Sequence, residues 1–484
     1  MKLFCIVAAL ILGACQQSGQ ASQRLANFIA ALNSKDRAKI EAMIQSEFAP
    51  SMLQARTIAQ WTDQTMQIAG ELAPVKTTAI RLDEPHTVVA EIQASKGEKL
   101  GIRIDCSPEA PHRIIGLRID ESADNLLVKK SDYSSYTDLS DLAKRVLADS
   151  KVPAIAVGVI AKDKMQLAVE GTRKAGSEGR AKESDRWLVG SNAKSMTAVL
   201  IATLIEQGKI SWDSKLGEVL PDVPMLPGYK TVTIEQLMQH MSGVQKDMTF
   251  TGQAVNKIVG DLTDPVKIRA TYAKDVLNRE PLSKPGEKFA YSNAGYSILG
   301  HIAEKIEKKP FEQLIKERVF DKLGMKDSLV GTPGAEGMPG GPNQVHGHYP
   351  GRNGPMPGKI TGPLNHMMAP AGGGVACSLS DLLRYTEWHM KGFLGESVPL
   401  LKPETIRRLH TPLARPAGME VYSAGWLHDQ DPENHRHMGS DGSFTAIMAF
   451  YPKQRVAIVT IVNMGLEAPG VNALNAIEAR EVKG

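Results

Sequence analysis

Residues 331–363 contain ten Gly and seven Pro. Proline has no N–H to give a helix or a sheet ladder, and glycine in an element interior weakens it. This block can therefore be neither a helix nor a central strand. A connection of that length reads as an ordered loop lining an active site, or as a flexible flap. Regular texture lies on either side of it. Upstream is the apolar run SMTAVLIATLIEQGK at helical length, plausibly ended by Gly208; downstream are two strand-like runs, Phe444–Tyr451 and Val456–Val462, joined by Pro452-Lys453-Gln454. With 42% hydrophobic and 23% charged residues, the chain can bury a core. Its 484 residues suggest two or three structural units. The balance of 57 basic and 53 acidic residues is too even for bulk electrostatic binding of nucleic acid.

Met1-Lys2 is followed by ten apolar residues, Leu3 to Leu12, then by Gly13, Ala14 and Cys15. A basic start, a short apolar run and small residues describe an export signal rather than a spanning helix. Leu12-Gly13-Ala14-Cys15 resembles the lipobox of bacterial lipoproteins, which implies a lipid on Cys15, a signal at 1–14 and a tether at 15–22. Two or more acyl chains would hold a folded domain at a membrane firmly. By that resemblance the protein is lipid-anchored in the bacterial cell envelope, facing the periplasm, with the outer membrane favoured because Gln16 is not Asp. The alternative is a cleaved signal with an incidental Cys. Of the remaining cysteines, Cys106 alternates with Leu100, Ile102 and Ile104 as a small buried hydrophobe. A bond to Cys377 would have to join two different predicted domains.

Residues 23–120 read as a small α+β domain. Leu25, Phe28, Ile29 and Leu32 keep helical spacing, as do Ile40, Met43, Ile44 and Phe48, and a third helix is expected from Met52 to Ala69. Strand-like segments follow at 75–82, 86–94, 98–106 and 112–119. This order is similar to the cystatin-like roll and predicts antiparallel strands with helices on one face. A polar linker is expected at 121–135, and a second domain from 136 to 484. That domain starts with an amphipathic helix (Leu139, Leu142, Val146, Leu147) and the strands Val152–Ile160 and Met165–Val169.

Three short motifs in the second domain carry chemistry. Ser191 and Lys194 are three residues apart, about one helical turn, so they share a face. A serine hydroxyl needs a base within hydrogen-bond reach, and a lysine can serve only when neutral. The apolar neighbours Met196, Val199 and Leu200 would supply partial burial. A helix N-terminus at Ser191 would also offer N–H groups to an oxyanion. Tyr291-Ser292-Asn293 brings a phenol that could move protons beside the lysine, and an amide that could bind a substrate amide. Asn293 could instead simply cap the helix that begins near Ala294. His437-Met438-Gly439, followed by Ser440, precedes the two strong strands; a strand beside the nucleophile would supply a backbone N–H and a side chain facing the leaving group.

Gly190-Ser191-x-x-Lys194, Tyr291-Ser292-Asn293 and His437-x-Gly439, in that order, resemble class C β-lactamases and the related penicillin-recognising serine hydrolases. Gln239-His240-Met241-Ser242-Gly243, Pro285-Gly286, Tyr349 and Ala371-Gly372-Gly373-Gly374 add to the likeness, which covers roughly 136–480. The resemblance implies a β-lactamase/transpeptidase-like α+β fold: an antiparallel sheet flanked by helices, plus a helical subdomain. It implies Ser191 as an acylated nucleophile, Lys194 and Tyr291 as its proton partners, Asn293, His437, Gly439 and Ser440 at the substrate, and an oxyanion hole of the Ser191 and Ser440 N–H groups. No cofactor is implied. The substrate would be a small molecule or peptide, as an ester or small amide; β-lactamase or D-Ala-D-Ala carboxypeptidase activity is the alternative, and a non-catalytic penicillin-recognising binding lipoprotein is the third reading.

The β-lactamases proper have Lys-Thr-Gly where this chain has His437-Met438-Gly439. A histidine with an ordinary pKa of about 6.5 would be mostly neutral at pH 7 and gain charge toward pH 6. Arg436 could substitute for the missing cation. Met241 stands where the relatives usually have Thr. Ser378-x-x-Asp381 reads as a capping box rather than as chemistry. His346, His348, His435 and His437 have no cysteine or acidic pair at ligand spacing, so no metal is expected.

Overall fold

The computed structural model describes residues 19–483 except 56, 121, 128–132, 134, 246–257, 332–343, 350–353, 358–366, 414–420 and 429–433. The signal, Cys15 and most of the Gly/Pro-rich block lie outside the described residues. The chain divides into two units, Met1–Lys129 and Lys130–Gly484. Among the described residues, no helix is long and apolar enough to cross a membrane.

The first unit holds α1 (Gln20–Ser34), α2 (Arg37–Glu47), α3 (Pro50–Ala55) and α4 (Ile58–Leu72). The expected tether is too long by three residues: α1 begins at Gln20, where burial of Ala21 draws the chain into the core. Asp36 starts α2 by accepting from the Ala38 and Lys39 N–H groups at 2.9 and 3.2 Å. The single helix expected from Met52 to Ala69 is instead two. Thr57 and Gln60 form a capping box that opens α4 afresh. The strands β1 (Lys76–Glu84), β2 (Thr87–Gln93), β3 (Lys99–Cys106) and β4 (Ile114–Asp120) form an antiparallel sheet in chain order. Val88, Ala90, Ile102, Ile104 and Cys106 alternate onto the face that buries Leu25, Phe28, Ile40 and Ile44. The expected linker starts late: Ala123 and Leu126, in a short 3₁₀ turn, pack on Val89 of the opposite face. Cys106 and Cys377 are both free and buried.

In the second unit, α5 (Leu139–Asp149) leads into β5 (Ala154–Ala161) and β6 (Lys164–Gly171), and α6 spans Ala193–Glu206. Further on are α7 (Pro265–Leu277), α8 (Asn293–Glu307), α9 (Leu379–Phe393) and α10 (Pro403–Leu409). The chain closes with β7 (Val421–Tyr422), β8 (Leu427–His428), β9 (His435–Ser440), β10 (Thr445–Tyr451), β11 (Val456–Val462) and α11 (Glu467–Glu481). Seven strands form one antiparallel sheet in the order β7-β8-β9-β10-β11-β5-β6. Alternation splits its side chains. Ile155, Val157, Ile447, Ala449 and Ile458 pack under α5 and α11, while Ala156, Ala446, Met448, Phe450 and Val459 join the core containing α6 and α9. Every residue of α6 from Ala193 to Leu204 is buried, as an all-round core helix requires. Ser378 caps α9 by accepting the Asp381 N–H, but Asp381 does not close the expected box. Its carboxylate takes the Asp327 N–H and the Ser328 hydroxyl instead.

The described parts of the Gly/Pro-rich block contribute only two short strands, His348–Tyr349 and Met356–Pro357, paired with each other. Behind β9 lies a stack of buried imidazoles. His389 Nδ1 is 2.9 Å from His410 Nε2, and His410 Nδ1 is 3.1 Å from His435 Nδ1. Phe450 stacks on His435 and Trp426 crosses both His389 and His410. Burial alone pushes His389 down to about 3, and burial followed by the neighbouring His428 and His389 pushes His435 down to about 2. Among the described residues, no set of three or more His, Cys, Asp or Glu side chains is arranged to hold a metal ion.

Candidate active site

The site is assembled where α6 begins. A 3₁₀ turn, Gly190–Asn192, precedes the helix proper, so Ser191 stands on that turn and Lys194 inside the first turn of α6. The turn is tied to the sheet by Asn192, whose Nδ2 donates to Val189 O at 3.0 Å and to Ala446 O of β10 at 2.9 Å. The one-turn spacing has the expected result: Lys194 Nζ is 2.9 Å from Ser191 Oγ. Lys194 is fully buried. Its ammonium position also lies 2.7 Å from Ala371 O, in the Ala-Gly-Gly-Gly stretch. The rings of Tyr291 and Tyr296 flank it, with Nζ 4.8 and 5.8 Å from their centroids. Ser191, Lys194 and Tyr291 thus meet.

Tyr296, inside the first turn of α8, is otherwise engaged. Its hydroxyl donates to Met238 O at 2.6 Å, and burial pushes its ionisation far above the usual range. Asn293 opens α8 but does not cap it. Ser292 is the cap, accepting the Gly295 N–H at 3.2 Å and donating to Gln245 O at 2.8 Å.

The third motif lies on β9. Strand β8 pairs only with His435 and Arg436, so along the remainder of β9 that same edge is free to face the Ser191 turn, the opposite edge being paired with β10. Backbone meets backbone there. A Cβ on Gly439 would fall 2.1 Å from Val189 O and 2.6 Å from Ser191 N, and one on Gly190 would fall 2.5 Å from Ser440 N. Gly190 also has φ +51°, a conformation that L side chains rarely adopt. The Ser191 and Ser440 N–H groups are therefore neighbours. The Ser440 hydroxyl is spent on the following turn, donating to Phe444 O and accepting the Gly442 N–H.

His437 faces the site but differs from expectation in its charge. It is buried, and burial followed by repulsion from Lys194 pushes it down to about 3. It does not gain charge between pH 7.5 and 6. Arg436 cannot take its place. It is opposite Ala449, on the other face of the sheet from His437, which is opposite Met448.

Two side chains at this site had no motif to announce them. Tyr422 of β7 packs 4.6 Å from the His240 ring and 5.9 Å from that of His437. Phe289 lies 5.8 Å from Tyr422 and 5.9 Å from His240, and stays 39% exposed, so it presents an apolar edge to solvent. Two-residue strands such as β7 carry no periodicity to read.

A family model described as Beta-lactamase matches residues 139–481. Protein flp of Staphylococcus aureus (strain MW2) is 22% identical over 341 residues, covering 69% of this chain. This chain spans only 64% of that relative's length. The D-alanyl-D-alanine-carboxypeptidase/endopeptidase AmpH of Escherichia coli (strain K12) is 23% identical, covering 66% of this chain and 82% of its own. The octameric penicillin-binding protein homologue from Pyrococcus abyssi shares the fold with a TM-score of 0.59 at 23% identity, over 71% of this chain and 77% of its own. The D-amino acid amidase from Ochrobactrum anthropi does so with a TM-score of 0.56 at 19% identity, over 70% and 97%. The likeness runs from the start of α5 to the end of α11 and includes all three motifs: this chain belongs to the Beta-lactamase family.

Proposed function

We propose that this protein is a serine hydrolase that works through an acyl-Ser191 intermediate on an ester or a small peptide amide. The observation that carries the reading is a buried lysine Nζ 2.9 Å from the Ser191 hydroxyl. Ser191 Oγ attacks the substrate carbonyl and its proton passes to neutral Lys194. The Ser191 and Ser440 N–H groups hold the oxyanion, a role worth about 10²–10³ in rate per donor in other enzymes. The proton returns to the leaving group through Lys194 and Tyr291, and water then releases the acyl group. Asn293 and His437 are assigned to substrate binding, with Gly439 allowing the close approach of β9.

A buried, neutral His437 favours substrates without a carboxylate beside the scissile bond. A charge-assisted hydrogen bond there would contribute roughly 1.5–3 kcal/mol. The second reading, β-lactamase or D-Ala-D-Ala carboxypeptidase, is favoured by the likeness to AmpH. A fluorophosphonate probe tests the mechanism: one adduct is expected on the wild type and none on Ser191→Ala, and equal labelling of both would overturn it. A panel of p-nitrophenyl esters, nitrocefin and D-amino-acid peptides then separates the two readings. Efficient nitrocefin turnover at pH 7.5 with negligible ester turnover would promote the second.

The lipobox supports a lipid anchor on Cys15 and a periplasm-facing position in the cell envelope. Wild type is expected to fractionate with membranes and Cys15→Ser without them; identical soluble fractionation of both would remove the anchor.

A further inference from the structure

His240 is an oddity in this site. It is buried and not glycine, yet its φ is +56°, a conformation that ordinary side chains avoid. A residue persists there only where its surroundings over-determine it. Its hydrogen bonds show what is gained. Its backbone carbonyl accepts the Ala290 N–H at 2.8 Å, and its side-chain Nδ1 accepts the Ser292 N–H at 3.1 Å. These are the amides on either side of Tyr291. The imidazole itself lies 4.3 Å, centroid to centroid, from the Tyr291 ring.

Resting on the reading of Ser191, Lys194 and Tyr291 given above, we infer that His240 is a positioning residue that grips the chain before and after Tyr291 and so fixes the phenol beside Lys194. Accepting at Nδ1 requires the neutral imidazole with its proton on Nε2. Three features of the site keep it neutral. Burial comes first, and a proton on His240 would next be opposed by any charge carried at Lys194 or His437; together these push its pKa well below the usual value. Nε2 is buried and has no hydrogen-bond partner among the described residues, so the working contact of this ring is at Nδ1.

Two substitutions separate this role from mere filling of space. Both Gly and Asn tolerate positive φ. Only Asn carries an acceptor, its Oδ1, near the position of the lost Nδ1. His240→Gly is expected to lower kcat by about 10- to 100-fold, as a misplaced catalytic group does, with KM little changed. His240→Asn is expected to recover most of that loss. In a Tyr291→Phe background, His240→Gly is expected to change kcat by less than about twofold, because the group it positions is already gone. Equal losses for Gly and Asn, or an undiminished Gly effect in the Tyr291→Phe background, would overturn the inference.

A readout that does not need turnover covers failure of the parent reading. With 3-fluorotyrosine at position 291, the ¹⁹F resonance is expected to shift or broaden in His240→Gly and to return in His240→Asn. An enzyme unlabelled by fluorophosphonate would remove the Ser191 mechanism, and the fluorine line would still decide whether His240 fixes Tyr291. A resonance indifferent to both substitutions would remove the His240 role whatever the activity.

Discussion

Among the described residues of the second unit, the basic side chains of Arg269 and Lys194 are fully buried, and their company differs. Arg269 of α7 lies between two carboxylates. It donates to Glu304 Oε1 at 3.0 and 2.6 Å and to Glu312 at 2.9 and 2.7 Å, while Glu304 also accepts the Phe311 N–H. Burial opposes its charge, but the hydrogen bonds of Glu312 and Glu304 outweigh it and hold the guanidinium charged. Lys194 is held by a hydroxyl, a carbonyl and two aromatic faces. Neutral partners of this kind bind either protonation state. A buried cation fitted with anions is a strut, because its proton has nowhere to go. In the proposed mechanism, a buried amine fitted with dipoles and a hydroxyl gives its proton up and takes it back.

The sharpest test of that contrast is Lys194→Met. It is expected to slow acylation of Ser191 by about 10²–10⁴-fold with no loss of stability, because a buried polar group is replaced by an apolar one of similar size. Stopped-flow acylation and a urea melt read the two halves; a large stability loss would make Lys194 a strut as well. Arg269→Met is expected to do the reverse, costing about 3–5 kcal/mol of stability by stranding Glu304 and Glu312. The protein that remains folded should keep its kcat. Urea midpoints at an unchanged m-value give that number.

The neutral histidines extend the contrast to acid. His389 and His437, both held down to about 3, take protons in the unfolded chain well before the folded one. Their stability contribution is complete above about pH 6.5 and is lost as pH falls toward 3. Each is expected to remove about 2 kcal/mol between pH 6.5 and pH 5. His389→Leu should flatten the pH dependence of the urea midpoint by that amount, and an unchanged slope would mean the ring already charges in place. The smallest effect concerns substrate: KM for a carboxylate-bearing amide should stay within about twofold between pH 7.5 and 6, since His437 gains no charge there.

Much of this was legible in the sequence because it rested on short-range spacing. Ser191 and Lys194 meet because three residues make about a turn, and Val456–Val462 is a strand because six apolar residues, mostly β-branched, and Thr460 leave little else. The helix break at Thr57 is legible too, in the Thr-x-x-Gln pattern at 57–60. What could not be read is what depends on the third dimension. The pKa of His437 follows from burial beside Lys194, 243 positions away in the chain. The face occupied by Arg436 follows from the register of β9 against β10. The grip of His240 on the Tyr291 turn joins residues about fifty positions apart through a backbone angle that no residue type other than Gly, Asn or Asp would advertise.

The meeting of Gly190 and Gly439 has a consequence for how such a pocket can change. Main chain packed on main chain at that seam leaves no side chain to vary, and a single methyl on either glycine would collide with it. That main-chain seam is thus inherited whole or lost whole. Phe289 and Tyr422, with ring centroids 5.8 Å apart, meet by contrast through their side chains. A change at those two positions alters side-chain packing alone, whereas a change at either glycine moves the main chain that carries Ser191 and Ser440.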